Sequence, residues 1–138
     1  MLTRRDTLAI GLGASAVALL PATAYADAVD DAISAFTGGA EMAEAGITLT
    51  APEIAENGNT VPISIEAEGA SEIVIIATGN PTPNVGRFTF GPAAGASMIA
   101  TRIRLGRTQD VVAIAKMADD SFAVTRVEVK VTIGGCGG

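Results

Sequence analysis

The only thiol in this chain of 138 residues lies in its last five, Gly134-Gly135-Cys136-Gly137-Gly138. Four glycines around one cysteine leave almost no side chain to pack, so the sulfur is expected to act outside the folded body, on a flexible tail. A thiol works as its thiolate, and an ordinary pKa of about 8.5 leaves a few per cent ionised near neutrality. No lysine or arginine flanks Cys136, and the terminal carboxylate of Gly138 opposes ionisation. Cys136 alone is therefore a poor catalyst, and activation must come from another protein's active site. The spacing suits a covalent carrier. With no Cβ on either side the backbone can enter a narrow cleft, and five extended residues reach about 17 Å.

One cysteine cannot form an internal disulfide. In an exported protein a lone thiol either pairs with another molecule or stays free and reactive, so two functional readings stand. In one, Cys136 holds a covalent cargo; in the other, it makes an intermolecular disulfide and a covalent dimer. The plain reading beside them is an ordinary frayed tail. Against that stands the liability of an exposed thiol, which oxidises and cross-links in such a compartment. A terminal thiocarboxylate of the ubiquitin-like kind needs ATP, which an export signal argues against.

Export is read from the N-terminus. Arg4 and Arg5 precede an apolar run from Leu8 to Leu20, and Ala24-Tyr25-Ala26 has the small-x-small form of a signal peptidase site. About 13 apolar or small residues fall short of the roughly 20 that span a bilayer, so residues 1–26 are expected to be a cleavable signal that leaves no membrane span. The alternative is an N-terminal anchor that stays attached. Thr3-Arg4-Arg5-Asp6-Thr7-Leu8 is similar to a twin-arginine signal, with Thr7 where an aromatic is usual. That route exports folded proteins to the periplasm, and it would let this one leave already docked to a partner without a signal.

Composition excludes much else. The formal net charge is −6, which disfavours binding to nucleic acid or anionic lipid through the general field. There is no histidine. Ser-His-Asp and Cys-His catalysis are thereby excluded within this chain, and no ordinary zinc or copper ligand set exists. No metal, cofactor or catalytic residue is expected.

The elements that must carry the tail are mostly strands. Residues 27–44 have a helical pattern, with Val29, Ile33 and Phe36 on one face, Asp27, Asp30 and Asp31 in a first turn, and an interruption at Gly38-Gly39. Beyond Gly46 the sequence reads as strands at 47–49, 61–66, 72–77, 87–90, 97–105, 110–116 and 122–133, separated by turn signals such as Glu56-Asn57-Gly58-Asn59 and Gly79-Asn80-Pro81. About seven short strands without alternating helices predict a mainly β, immunoglobulin-like antiparallel β-sandwich over 27–133, with a short N-terminal helix and an arm at 134–138. In the last strand Val127, Val129, Val131 and Ile133 alternate with Arg126, Glu128, Lys130 and Thr132, so the tail should leave directly from a packed strand.

In Thr101-Arg102-Ile103-Arg104-Leu105 the same alternation puts Ile103 and Leu105 in the core and Arg102 and Arg104 on a basic stripe that Arg107 extends. The stripe is a candidate contact for anionic sulfur species or an acidic partner; a solvated strand face is the stronger reading. Asn80-Pro81-Thr82-Pro83 reads as a rigid turn before it reads as a contact site.

The ending Val129-Lys130-Val131-Thr132-Ile133 followed by Gly134-Gly135-Cys136-Gly137-Gly138 resembles the SoxY family, the sulfur-carrier subunit of the SoxYZ complex in periplasmic thiosulfate oxidation. The resemblance continues in Pro52-Glu53-Ile54-Ala55-Glu56-Asn57-Gly58 with Val61-Pro62, in Asn80-Pro81-Thr82-Pro83 with Phe88, and in Thr101-Arg102-Ile103-Arg104-Leu105 with Thr108-Gln109. It covers nearly all of the mature chain, and the terminal pentapeptide is its most specific part. The softer matches are Thr7 and the alanine-rich stretch 91–100.

The resemblance implies an immunoglobulin-like fold and a substrate-bearing carrier that is not an enzyme. It implies that Cys136 bears the pathway intermediates, with Gly134, Gly135, Gly137 and Gly138 as a swinging arm. SoxZ would be the obligate partner. The haem protein SoxAX would join thiosulfate to the thiol as a cysteine S-thiosulfonate, and SoxB would release its sulfone as sulfate. SoxCD, where present, would oxidise the remaining sulfane sulfur.

Overall fold

A computed structural model of the chain describes residues 21–134. Residues 1–20 of the expected signal and residues 135–138, Cys136 among them, lie outside the described residues.

The chain enters through helix α1 (Pro21–Thr37). A proline is tolerated at a helix start because the N–H it lacks would have no partner there. The expected helix is thus displaced: it starts at Pro21, so Asp27, Asp30 and Asp31 fall beyond a first turn that holds no acid. It stops at Thr37 because Gly38 and Gly39 take φ of 66° and 84°, the left-handed region that ends helices at little cost only for glycine. The Gly38 N–H donates to the Ser34 carbonyl at 2.7 Å, and the Thr37 hydroxyl donates to the Ile33 carbonyl at 2.9 Å.

Among the described residues nine strands follow: β1 (Met42–Ala43), β2 (Thr48–Thr50), β3 (Ile54–Ala55), β4 (Val61–Glu66), β5 (Ala70–Ala77), β6 (Asn84–Thr89), β7 (Met98–Ile103), β8 (Gln109–Met117) and β9 (Phe122–Val131). One sheet has the order β1-β9-β8-β5-β6 with β3 also on β9, and the other is β2-β4-β7. The long pairings are antiparallel, as the sandwich requires, while the two-residue strands β1 and β3 join β9 in parallel. Those short strands escape the sequence because two residues carry no period. Pro62 sits in β4 beyond the end of its pairing with β2, where the strand has one ladder neighbour instead of two and a missing donor is tolerated.

The centres of β5 (73–77) and β8 (111–115) read as unbroken apolar runs because both of their faces are covered. Ile73, Ile75 and Ala77 with Val111, Ala113 and Ala115 face the second sheet and join Ile63, Ile65 and Leu105 in the main core. Val74, Ile76, Val112 and Ile114 point the other way, under Val29, Ile33 and Phe36 of α1. Each isoleucine so buried contributes roughly 1.5–3 kcal/mol relative to exposure, so the sandwich core dominates stability and the helix is its second layer. The Phe36 ring meets Phe122 edge-on at 5.6 Å and lies 5.6 Å from the Arg87 guanidinium, which itself pairs with Glu72 at 2.6 Å.

The alternation of β9 holds through Val129, which is fully buried, and through Val127 and Val131, which pack at the core's edge. It fails at Ile133, which is 68% exposed. The strand ends at Val131 instead of 133 because β8, its ladder partner, begins at Gln109 opposite Val129.

Candidate functional site

The tail is tied down before it leaves the body. Past the ladder, the Val131 N–H donates to the Thr108 hydroxyl at 2.9 Å, a side chain replacing the missing strand. The Thr132 N–H and hydroxyl both donate to the Ala55 carbonyl, at 3.0 and 3.1 Å. The Ile133 carbonyl then accepts the Gly58 N–H at 2.7 Å, and the Gly58 carbonyl accepts the Leu105 N–H at 2.8 Å. A buried glycine in the β3–β4 turn thereby bridges the root of the tail to the end of β7.

Gly134 rests on the next residue of that segment. A Cβ built at 134 would overlap the carbonyl oxygen of Gly106, so the backbones approach as closely as only glycine permits. The support under Gly106 is a polar cluster. Asn80 accepts the Gly106 N–H on Oδ1 at 3.0 Å and donates from Nδ2 to the Arg104 carbonyl at 2.8 Å. Gln109, 7% exposed, donates to Asn80 Oδ1 at 2.9 Å and to the Arg107 carbonyl at 3.0 Å, and accepts the Gly79 N–H at 2.8 Å. Gly79 is closely fitted as well, since a Cβ there would lie 3.0 Å from the Gln109 Cβ.

Three stretches far apart in sequence thus meet at one end of the sandwich: the turn at Gly58, the turn at Asn80, and the β7–β8 loop. The sequence placed Asn80-Pro81-Thr82-Pro83 as a rigid turn, and the structure shows why: the Asn80 carboxamide holds the neighbouring loop, while the Pro83 carbonyl accepts the Ala77 N–H at 2.8 Å. Sequence reasoning did not single out Asn80, Gln109 or Gly106 as supports of the tail. The available signal was a glutamine heading a strand whose centre, 111–115, is wholly apolar, since such a residue needs internal partners when buried.

The three arginines divide. Arg102 and Arg104 are exposed and alternate with buried Ile103 and Leu105, as the strand period demands. Arg102 donates to the Thr60 hydroxyl at 3.4 Å and lines a shallow groove of about 630 Å³ on the three-stranded sheet, beside Pro52, Pro62 and Ala100. Among the described residues, none of those lining that groove hydrogen-bonds to 131–134. Arg104 and Arg107 instead flank Gly106, and Arg107 Nε donates to the Gly79 carbonyl at 3.1 Å. Of the expected arm, Gly134 is described and packed on Gly106; Gly135, Cys136, Gly137 and Gly138 lie outside the described residues. Among the described residues no group of three or more acidic, histidine or cysteine residues is placed to hold a metal ion, and no helix is long and apolar enough to cross a membrane.

The fold is a small two-sheet β-sandwich whose hydrogen bonds hold residues 131–134, the segment that leads in sequence to Cys136. The family model of sulfur oxidation protein SoxY matches residues 33–136. In structure the chain is similar to the sulfur carrier protein SoxY from Chlorobium limicola f thiosulfatophilum, with 34% identity, a TM-score of 0.67, and coverage of 78% of this chain and 99% of that one. It is also similar, in fold alone, to a superoxide reductase (neelaredoxin) from Ignicoccus hospitalis, at 18% identity and a TM-score of 0.56 over 64% of this chain and 82% of that one. A putative superoxide reductase from Thermotoga maritima gives 16% identity and a TM-score of 0.52 over 62% of this chain and 84% of that one. No curated protein sequence matches the chain. The chain belongs to the SoxY family.

Proposed function

We propose that this protein carries thiosulfate-derived sulfur covalently on Cys136 and presents it to separate enzymes, without catalysing any step itself. The observation that carries the reading is the arm root. Cys136 follows, two residues on in sequence, a glycine that is seated against the Gly106 carbonyl. Cargo tethered to the body in this way is kept at high effective concentration for the enzymes that act on it.

In the proposed cycle the Cys136 thiolate and thiosulfate lose two electrons to a haem protein of the SoxAX kind and form a cysteine S-thiosulfonate. A SoxB-type hydrolase adds water and releases sulfate, which leaves a persulfide on Cys136. A SoxCD-type enzyme, where the host has one, oxidises that sulfane sulfur for further hydrolysis. A SoxZ-type subunit is the partner, co-exported to the periplasm through the twin-arginine signal in residues 1–26. Arg104 and Arg107, close in sequence to Gly106, are the basic residues that an anionic cargo or an acidic client could use. The exposed Ile133 gives a client enzyme an apolar contact at the same place.

Intact-mass analysis tests the reading. Incubation with the SoxZ-type partner, thiosulfate and a SoxAX-type enzyme should add a reductant-labile, thiosulfonate-sized mass to the C-terminal peptide, and Cys136→Ser should abolish it. Loading that persists in the serine variant overturns the proposal, as does a stoichiometric disulfide dimer that functions without free thiol.

A further inference from the structure

We propose that Asn80 is the positioning residue of the arm root. Its two carboxamide atoms grip the β7–β8 segment on both sides of Leu105: Nδ2 donates to the Arg104 carbonyl, and Oδ1 accepts the Gly106 N–H. The contacts that hold Ile133 and Gly134 run through this segment. Leu105 donates to Gly58, Gly58 donates to the Ile133 carbonyl, and the Gly106 carbonyl is the surface on which Gly134 lies. Gln109 orients the asparagine by donating to the same Oδ1, while its own Oε1 is held by the Gly79 N–H. The chain Gln109, Asn80, Gly106, Gly134 is therefore a relay of position from the buried core to the root of the tail.

An asparagine suits position 80 because the segment offers one carbonyl and one N–H, and its short carboxamide supplies a donor and an acceptor on two separate atoms. An aspartate keeps both acceptor contacts but sets a carboxylate against the Arg104 carbonyl. With the root held, the place where the chain leaves the body is set by the body itself. The functional consequence rests on the carrier reading: a client enzyme meets the arm where it leaves the body, so loosening the root weakens encounter and leaves the chemistry of the thiol unchanged.

The test uses the full chain with its SoxZ-type partner and compares wild type with Asn80→Ala and Asn80→Asp. Amide hydrogen exchange at Gly58 reads the Ile133 latch directly, and exchange at Ile75 reads global stability. Asn80→Ala is expected to speed Gly58 exchange about tenfold or more while Ile75 changes far less, with Asn80→Asp between wild type and alanine. Loading of Cys136 by a SoxAX-type enzyme should show a raised KM with kcat retained, and the reaction of the thiol with a small aromatic disulfide should be unchanged. Equal changes at Gly58 and Ile75 would mark Asn80 as an ordinary stabilising residue and overturn the proposal, as would unchanged Gly58 exchange in Asn80→Ala. Failure of wild type to load sulfur leaves the exchange result intact and counts against the carrier reading alone.

Discussion

Gly134 lies on the carbonyl oxygen of Gly106, and no other residue type fits that contact. Alanine at 134 meets a backbone atom that cannot swing aside, so Gly134→Ala should lift the tail off its seat. Because the tail can peel away, the loss is capped by what the latch itself contributes, one strong hydrogen bond and a close contact, or about 1 kcal/mol. Hydrogen exchange at Gly58 should therefore rise up to about fivefold, while the melting temperature falls by about 4 °C or less. Gly95→Ala, where a Cβ meets nothing within 4 Å, is the control and should change neither. A Gly134→Ala protein with Gly58 exchange equal to wild type would show that the contact fixes nothing.

The two isoleucines Ile75 and Ile54 separate core from surface. Ile75 is 1% exposed between the sheets, and Ile54 is 59% exposed on β3. Truncation of a buried isoleucine removes its transfer energy and leaves a cavity in a sheet that cannot collapse, so Ile75→Ala should cost about 2–5 kcal/mol in urea unfolding. Ile54→Ala should stay within about 0.5 kcal/mol. Similar midpoints for the two variants would refute the layer arrangement.

The same pair shows what the sequence could reveal. The period of β4 was legible because Val61, Ile63 and Ile65 face the core while Pro62, Ser64 and Glu66 do not. In β5 no period was visible, because Val74 and Ile76 are covered by the helix while Ile73 and Ile75 are covered by the second sheet. The helix start was misplaced because the small residues ahead of Asp27 read as a cleavage site and not as helix. At the tail, the lone thiol and its glycines were plain in the sequence. Its anchorage was not, since Gly58, Asn80 and Gly106 are joined by hydrogen bonds between segments tens of residues apart, and such bonds leave no local pattern.

Asp119 gives a pH prediction at the β8–β9 turn, where Asp120 takes a positive φ of 66°. The Ser121 hydroxyl and then its N–H donate to Asp119 Oδ1, at 2.5 and 3.1 Å, and hold this carboxyl below the usual carboxylate range. A lowered folded-state value means that the turn's contribution is present above the ordinary carboxylate pKa and is lost as pH falls through the folded one. Ser121→Ala should move the Asp119 titration midpoint upward in a carbon-detected NMR titration. Because the group is fully exposed, the acid unfolding curve should hardly move. A midpoint unaffected by the substitution would show that the hydroxyl does not stabilise the charge.

Gln109→Leu tests the buried support of the same cluster. The substitution nearly conserves volume at a site that is 7% exposed, so packing changes little. What it removes is three polar contacts: the Gly79 N–H loses its acceptor, and Asn80 Oδ1 and the Arg107 carbonyl each lose a donor. A half-buried donor left without a partner costs about 1–3 kcal/mol, so unfolding free energy should drop within that range. Because Asn80 would then be held from one side only, Gly58 exchange should also accelerate, and by less than in Asn80→Ala. In the double variant Gln109→Leu with Asn80→Ala the effects should fall short of the sum of the two single ones, since the pair shares a hydrogen bond. Full additivity would mean that Gln109 and Asn80 act independently, and the relay from core to tail would have to be abandoned.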